Sequence, residues 1–160
     1  MAGDYRKLRE QVMAIARDIG SLDRDGLRGQ LDQLLSPEAR WDSDVFIDGA
    51  GDRAAFASLL EDVKVAFPDL ALEITSTYES EREGEVAFEA VVTGTNHGFL
   101  ANAGPTRRPV RLLVNGVIVF AEDQRIARLR TTWNCAYLMA QLGIRAHMRA
   151  DPPRRSLSAS

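Results

Sequence analysis

Residue types that build several common functional sites are scarce in this chain. Its 160 residues include one cysteine and two histidines, so the sequence can form neither an intrachain disulfide nor a histidine-rich metal site. Lysine occurs only at positions 7 and 64, and the net charge is −3. This charge gives no electrostatic reason to bind nucleic acid or an anionic membrane. Neither partner is therefore expected.

Long apolar runs are also missing. The segment 1–20 is charged throughout and lacks the apolar core of a signal peptide, and no stretch approaches membrane-spanning length. We therefore expect a cytoplasmic protein. With 45% hydrophobic and 27% charged residues, the chain is expected to form one globular domain over residues 1–150. The segment 151–160, which is rich in proline and serine, is predicted to be a disordered tail.

Apolar residues recur at helical spacing in three segments of the N-terminal part. A first helix is predicted near 4–19. A second begins at Ser21 or Asp23 and is closed by Pro37, and a third spans about 52–66. A short fourth helix is predicted from Asn134 to Leu142, after the last strand.

Alternation of apolar and polar residues predicts strands at 39–46, 69–81, 85–97, 108–121 and 125–133. Helices followed by long strands indicate an α+β fold. Wrapped around three N-terminal helices, a curved antiparallel sheet of this kind makes a cone-shaped α+β barrel. Asn115-Gly116 is a strong hairpin signal inside the fourth strand. We expect one long strand there, because the acidic turn six residues later reverses the chain, and a bulge at Gly116 would accommodate both signals.

Four short motifs follow one another in the C-terminal two-thirds of the chain. They are Gly94-Thr95-Asn96-His97-Gly98, Pro105-Thr106-Arg107-Arg108-Pro109-Val110, Glu122-Asp123-Gln124-Arg125-Ile126 and Gln141-Leu142-Gly143. In this order the motifs resemble the SnoaL-like polyketide cyclase family of the nuclear transport factor 2-like superfamily, over roughly residues 5–145. The resemblance implies a cone with an apolar interior and a hydrophobic small-molecule substrate. It also implies that two chains pair through the sheet, so a homodimer is expected.

The chain departs from the family near its last strand. Thr131 stands where the cyclases hold the acid that protonates the substrate, and Asn134 stands where another acid is common. Both side chains can hydrogen-bond a carbonyl or hydroxyl, but neither can donate and recover a proton at neutral pH. They are predicted as catalytic residues, with a helix N-cap and a plain strand position as the respective alternatives for Asn134 and Thr131. The aldol cyclisation usual in the family is disfavoured by Thr131.

Asp42 is the leading candidate for a catalytic base. In Trp41-Asp42-Ser43-Asp44, strand alternation directs Asp42 to one side and both Trp41 and Ser43 to the other. Counted as in the similar steroid isomerases, Asp42 takes the place of their catalytic carboxylate. Counted as in limonene-epoxide hydrolases, Trp41 and Ser43 line the cavity instead. A carboxylate inside an apolar cone can shuttle protons near neutral pH, whereas the alternative is a solvated acidic face.

Five other side chains are candidates for the pocket. His97 is predicted as an acid or base, with an exposed rim position as the alternative. Asn115 is predicted to bind substrate, or else to form a turn or bulge. Trp41 and Trp133 offer flat faces to a polycyclic substrate unless they pack in the core. Phe56, on the apolar face of the third helix, is predicted as a further substrate-binding residue.

These features together predict a cofactor-independent enzyme of secondary metabolism. The sequence has no glycine-rich phosphate loop and no cluster of metal ligands, so neither a cofactor nor a metal is expected. The substrate is expected to be a hydrophobic, aromatic polyketide-type intermediate that undergoes cyclisation, isomerisation or hydroxylation through an enolate. The alternatives are a ligand-binding or auxiliary protein that has lost the catalytic acid, and an interaction module with a filled cone.

Overall fold

Four helices and six strands make up the described part of the chain. The structure is a computed structural model that describes residues 2–21, 24–43, 50–100 and 103–144. The helices are α1 (Ala2–Ser21), α2 (Arg24–Leu34), α3 (Arg53–Ala66) and α4 (Cys135–Leu142). The strands are β1 (Leu35–Asp42), β2 (Ala50–Asp52), β3 (Ala71–Glu79), β4 (Glu85–Thr95), β5 (Pro109–Phe120) and β6 (Ile126–Trp133). The predicted α+β class is confirmed, whereas the predicted tail at 151–160 lies outside the described residues.

The six strands form one curved, unclosed sheet in the order β2-β1-β6-β5-β4-β3. As predicted, the long strands β3 to β6 pair antiparallel with one another. β1 instead pairs in parallel with β6, so the expectation of a wholly antiparallel sheet is wrong at this pair. Most of the chain separates these two strands. Local alternation identifies a strand, but it does not fix the direction of a partner so far along the sequence.

β1 begins earlier than the sequence predicts. The prediction places Pro37 at the end of α2, but α2 ends at Leu34 and Pro37 lies inside β1. The register between β1 and β6 shifts between Leu35 and Arg40, so Pro37 falls in an irregular stretch. The N–H group that proline lacks destabilises the sheet least at this place, because no regular series of inter-strand hydrogen bonds is interrupted. The predicted strand end at 44–46 lies outside the described residues, and the short β2 is not predicted at all.

β5 runs without reversal through Asn115-Gly116, as expected from the turn that follows it. The bulge lies between Val119 and Phe120 rather than at Gly116. Gly116 has a different role, because a Cβ at this position would lie 2.5 Å from the ring of Phe88. The hairpin signal in the sequence therefore reflects a position where an aromatic ring covers the strand.

Two apolar clusters fill the space between the helices and one face of the sheet, which we call the inner face. The larger cluster joins α1, α2 and α3 to the middle of the sheet; its buried members are Leu8, Val12, Ile15, Leu27, Leu31, Leu35, Ala39, Phe56, Ala57, Val86, Phe88, Ala90, Ile118, Phe120 and Ile126. The smaller cluster joins the end of α3 to β5 and α4; its buried members are Ala66, Phe67, Leu70, Val110, Leu112, Leu138 and Leu142. Burial of this apolar surface is the main term that stabilises the fold.

Asn96 joins the first two sequence motifs to the end of α3. It is 1% exposed, and its Nδ2 donates to the carbonyls of Gly98 at 2.9 Å and Ala66 at 3.4 Å. Its Oδ1 accepts from the backbone N–H of Thr106 at 2.7 Å and from the Thr106 hydroxyl at 3.1 Å. A Cβ at Gly98 would lie 2.3 Å from the carbonyl oxygen of Val65, so only glycine fits this approach. These motifs therefore hold a loop in place.

The last motif has a similar structural role. Leu142 is buried in the smaller cluster, and Gly143 ends α4 with φ 71°, a left-handed conformation that favours glycine. The Gln141 side chain hydrogen-bonds the backbone of Arg111 on β5. Three of the four motifs that carry the family resemblance thus contribute contacts that hold the scaffold together.

Candidate functional site

Three of the predicted site residues meet on the inner face of the sheet. The indole Nε1 of Trp41 donates a hydrogen bond of 2.7 Å to the Oγ1 of Thr131. The ring of Trp41 also packs edge-on against the ring of Phe56, with centroids 4.6 Å apart and an interplanar angle of 70°. Trp41 and Thr131 are half-buried, whereas Phe56 is buried. The result is an aromatic wall that holds one hydroxyl group, and we call these three residues the Trp41 wall.

Strand register explains how the Trp41 wall forms. Trp41 of β1 lies opposite Leu129 of β6, and alternation places Thr131 and Trp133 on the same face as Leu129. Phe56 reaches this face from the first turns of α3, whose N-cap Asp52 accepts from the backbone N–H of Ala55. The wall borders a small pocket that is lined by Leu35, Ala39, Arg40, Trp41, Asp52, Arg53, Phe56, Ile126 and Leu129.

Asp42 lies on the opposite face of β1 from Trp41. Its Oδ2 accepts from both Nε and Nη2 of Arg128, each at 2.5 Å. The side chains of Asp42 and Arg128 are 22% and 51% exposed, respectively. The predicted base role requires an inward-pointing carboxylate, and this ion pair turns the carboxylate outward. Of the two alignments considered for this strand, the structure agrees with the one in which Trp41 faces the cavity; Ser43, next to the strand end, is buried.

Asn134 and Asn115 also lie away from the Trp41 wall. Asn134 is exposed, and its Oδ1 accepts from the backbone N–H of Tyr137 at 2.8 Å, which makes it the N-cap of α4. Asn115 is exposed on the outer face of the sheet, between Glu89 of β4 and Thr132 of β6. The predicted pocket position of Asn115 is therefore wrong, because the register of β5 directs its side chain outward.

His97 lies at the far end of α3. It is exposed, its backbone N–H donates to the carbonyl of Ala66, and its Nδ1 lies 2.9 Å from Nη1 of Arg107. Because the guanidinium can only donate, Nδ1 accepts this hydrogen bond. Ala66 is ten residues after Phe56 on the same helix, which corresponds to about 15 Å. His97 is thus placed at the rim, apart from the Trp41 wall.

A carboxylate beside His97 is held in its charged form. The backbone N–H of Thr95 donates to Oδ1 of Asp69 at 2.7 Å. This bond, followed by one from the Thr95 hydroxyl and a smaller attraction from His97, lowers the pKa of Asp69 below its usual value. Asp69 is exposed, so this arrangement anchors the start of the loop after β4.

Trp133 lies next to the Trp41 wall on the same face of β6. It is half-buried and packs against the smaller apolar cluster. Two residues along a strand are about 7 Å apart, so Trp133 continues the inner face from Thr131 toward α4. Leu129, which is not among the predicted site residues, precedes Thr131 on this face. The alternation Leu129-x-Thr131-x-Trp133 was visible in the sequence and is the signal that could have found it.

The described ranges contain no group of three histidine, cysteine, aspartate or glutamate side chains that could hold a metal ion. None of the helices in those ranges has the length and apolar character that crossing a bilayer requires.

Solved structures share this fold at low sequence identity. AclR from Streptomyces galilaeus, a candidate hydroxylase, is 24% identical, with a TM-score of 0.68 over 84% of this chain and 96% of that chain. IdmH from Streptomyces antibioticus, a candidate polyketide cyclase, is 19% identical, with a TM-score of 0.69 over 86% of this chain and 99% of that chain. A protein of ketosteroid isomerase-like fold from Catenulispora acidiphila is 15% identical, with a TM-score of 0.63 over 84% and 92%.

Sequence comparison identifies the family. Curated proteins provide no match. A model of the SnoaL-like polyketide cyclase family matches residues 29–142, more than two thirds of the chain. This match includes every strand and confirms the resemblance carried by the four motifs. The chain belongs to the SnoaL-like polyketide cyclase family.

Proposed function

We propose that this protein is a small-molecule enzyme of secondary metabolism that acts, without a cofactor, on a hydrophobic polyketide-type intermediate. Its family is that of the polyketide cyclases, and similar solved structures include a candidate hydroxylase and a candidate cyclase. The observation that carries the proposal is the Trp41 wall, in which one hydroxyl is set among aromatic rings. Such a surface suits a flat aromatic substrate with a few oxygen atoms.

The chemistry we propose is stabilisation of an enolate. A hydroxyl that donates to a carbonyl oxygen becomes more favourable as negative charge develops on that oxygen, and it acts more strongly in an apolar surrounding than in water. We propose that Thr131 does this, because its hydroxyl lies beside the ring of Trp41. Cyclisation and isomerisation can proceed through such an enolate without an oxidant. Hydroxylation can also start from it when dioxygen is a second substrate and the electron-rich intermediate itself supplies the electrons that reduce the other oxygen atom to water. The proposal covers these three reactions.

Proton transfer is assigned to the substrate. Asp42 faces away from the Trp41 wall, and His97 lies near the opposite end of α3. Thr131 does not exchange protons at neutral pH. A polyketide intermediate carries enol and phenol groups that can give and take protons, so we propose that the protein supplies orientation and hydrogen bonding.

The test uses a panel of aromatic polyketides, such as hydroxylated naphthoquinones and anthrones. Binding is followed by the melting temperature, and turnover is followed by mass detection of the products.

Thr131→Val keeps the side-chain shape and removes the hydroxyl. Loss of a hydrogen bond to an oxyanion reduces turnover on the order of 10²-fold. Thr132→Val is the matched control, because Thr132 is the next residue, is exposed and faces outward. Absence of any ligand-induced shift would contradict the proposed pocket.

A second candidate function is a non-catalytic ligand-binding or auxiliary protein. Two observations favour it: Thr131 stands at the position of the acid in the cyclases, and the Asp42 carboxylate is paired on the other face. This function predicts a rise in melting temperature with ligands and no turnover of any of them. The same panel therefore separates the two candidates.

We also propose that two copies pair through the outer face of the sheet. Leu113 is 64% exposed on that face, next to Arg111 along β5, and Glu89 lies on the same face opposite Asn115. Large apolar side chains surrounded by charges of both signs are typical of surfaces that associate. The inner face is left to the ligand by this arrangement.

A further inference from the structure

The indole N–H of the half-buried Trp41 has a defined hydrogen-bond partner. An indole N–H can only donate, so the bond of 2.7 Å uses the oxygen of Thr131 as the acceptor. A hydroxyl group has one hydrogen to donate and two lone pairs. The indole therefore takes one lone pair of Thr131 and leaves its hydrogen directed elsewhere.

The position of Trp41 is fixed by packing. Its ring lies edge-on to Phe56, which is 7% exposed and belongs to the larger apolar cluster. Its backbone is held between β2 and β6, opposite Gly51 and Leu129. An indole constrained in this way has few rotamers, so its N–H keeps one direction relative to Thr131.

The other side of Thr131 is also aromatic. Thr131 lies directly opposite Gly116 of β5, and the Phe88 ring covers the space that a side chain at Gly116 would occupy. Directly opposed residues on neighbouring strands are about 5 Å apart, so the Phe88 ring lies close to Thr131. The inner face around Thr131 thus carries the ring of Trp41 on one side and, over Gly116, the ring of Phe88 on the other. In surroundings of low polarity, one hydrogen bond strengthens the next.

We infer that Trp41 is a positioning residue that makes the Thr131 hydroxyl a hydrogen-bond donor to the ligand. The site then selects flat aromatic ketones and quinones, whose carbonyl oxygen accepts from Thr131 while the attached rings lie along the aromatic wall. This inference rests on the proposed function, because it describes the same part of the inner face. It assigns the indole N–H a role that stacking alone does not give it.

The experiment compares two tricyclic probes, 9-fluorenone and fluorene, which differ in one carbonyl group. Wild type is expected to bind fluorenone about three- to tenfold more tightly than fluorene, the size of effect that one neutral hydrogen bond provides. Thr131→Val should abolish this preference without weakening fluorene binding. Trp41→Phe, which keeps an aromatic ring and removes the N–H, should reduce the preference about threefold. Thr131→Ser should retain it, and Thr132→Val is the outward-facing control.

The infrared carbonyl band of bound fluorenone gives a readout that a purely structural role would not move. A hydrogen bond lowers the stretching frequency, so the band should lie lowest in wild type and Thr131→Ser, highest in Thr131→Val and between them in Trp41→Phe. In protein without ligand, the indole N–H proton resonance should move upfield in Thr131→Val, since its acceptor is gone. This last measurement remains informative if Trp41→Phe does not fold.

The outcomes separate the inference from the proposed function. Binding of both probes with equal affinity, or Trp41→Phe that leaves the preference and the carbonyl band unchanged, overturns the inference alone. If Trp41→Phe weakens the binding of both probes equally, the inference is also overturned, because that result assigns Trp41 a role in stacking only. If wild type binds neither probe nor any aromatic polyketide, the proposed function fails and the inference fails with it.

Discussion

Gln141 hydrogen-bonds both backbone groups of Arg111. Its Oε1 accepts from the Arg111 N–H at 2.8 Å, and its Nε2 donates to the Arg111 carbonyl at 3.1 Å. Pairing between β5 and β6 covers residues 114–120 of β5, so Arg111 precedes the part of β5 that β6 reaches. The side-chain amide therefore takes the place that a neighbouring strand would occupy, and it joins α4 to the sheet.

Gln141→Met is expected to lower the free energy of unfolding by about 1–3 kcal/mol, because two hydrogen bonds are lost while the side-chain volume is kept. Urea denaturation measures this change. Gln141→Ala should lower the free energy of unfolding slightly further, because it also removes side-chain packing. Full stability in Gln141→Met with a loss in Gln141→Ala would assign the role of Gln141 to packing alone.

The sequence predicts the long strands well and the start of the sheet poorly. β3 to β6 are marked by alternation and by turns that lie close to them in sequence, such as the acidic turn between β5 and β6. β1 contains Pro37 and has its parallel partner more than 80 residues away. Strand propensity and local residue patterns cannot predict that pairing, because it forms only when the whole sheet is assembled.

Stability should fall in acid partly because of Asp69. Hydrogen bonds from Thr95 lower the pKa of the folded-state carboxyl, so its contribution is fully present above the unfolded-state pKa and is lost as the pH falls through the folded-state pKa. Asp69→Asn removes this titration. The difference in unfolding free energy between wild type and Asp69→Asn should therefore shrink between about pH 5 and about pH 2. A difference that is constant across this range would contradict the assignment.

Association through the outer face predicts that Leu113→Arg weakens dimers. The side chain is 64% exposed in the single chain, and a charge at its position would have to be buried in the proposed interface. Sedimentation at micromolar concentration should give twice 17.7 kDa for wild type and 17.7 kDa for Leu113→Arg. Met13→Arg, on the exposed side of α1, is the control and should remain dimeric. A wild-type mass near 17.7 kDa would contradict the proposed pairing.

The candidate site could be predicted from the sequence only in part. Trp41, Phe56 and Thr131 are brought together because a parallel register aligns β1 with β6, and the sequence left the facing of β1 open. Asp42 is predicted as a catalytic base from its residue type, because a carboxylate can accept a proton. Its partner Arg128 is 86 residues away, and no local pattern links the two.

Asp42→Asn is expected to leave function nearly intact. The carboxylate points outward and pairs with Arg128, whose side chain is half exposed, and ion pairs of this kind contribute about 0–1 kcal/mol to stability. Turnover or ligand affinity should remain within about threefold of wild type, because a positioned base is worth about 10²–10⁴ in rate and Asp42 is not placed as one. Arg128→Gln removes the same ion pair from the other side and should have an equally small effect. If Asp42→Asn lowers turnover by about 100-fold while Arg128→Gln does not, the carboxylate reaches the substrate and the outward assignment is wrong.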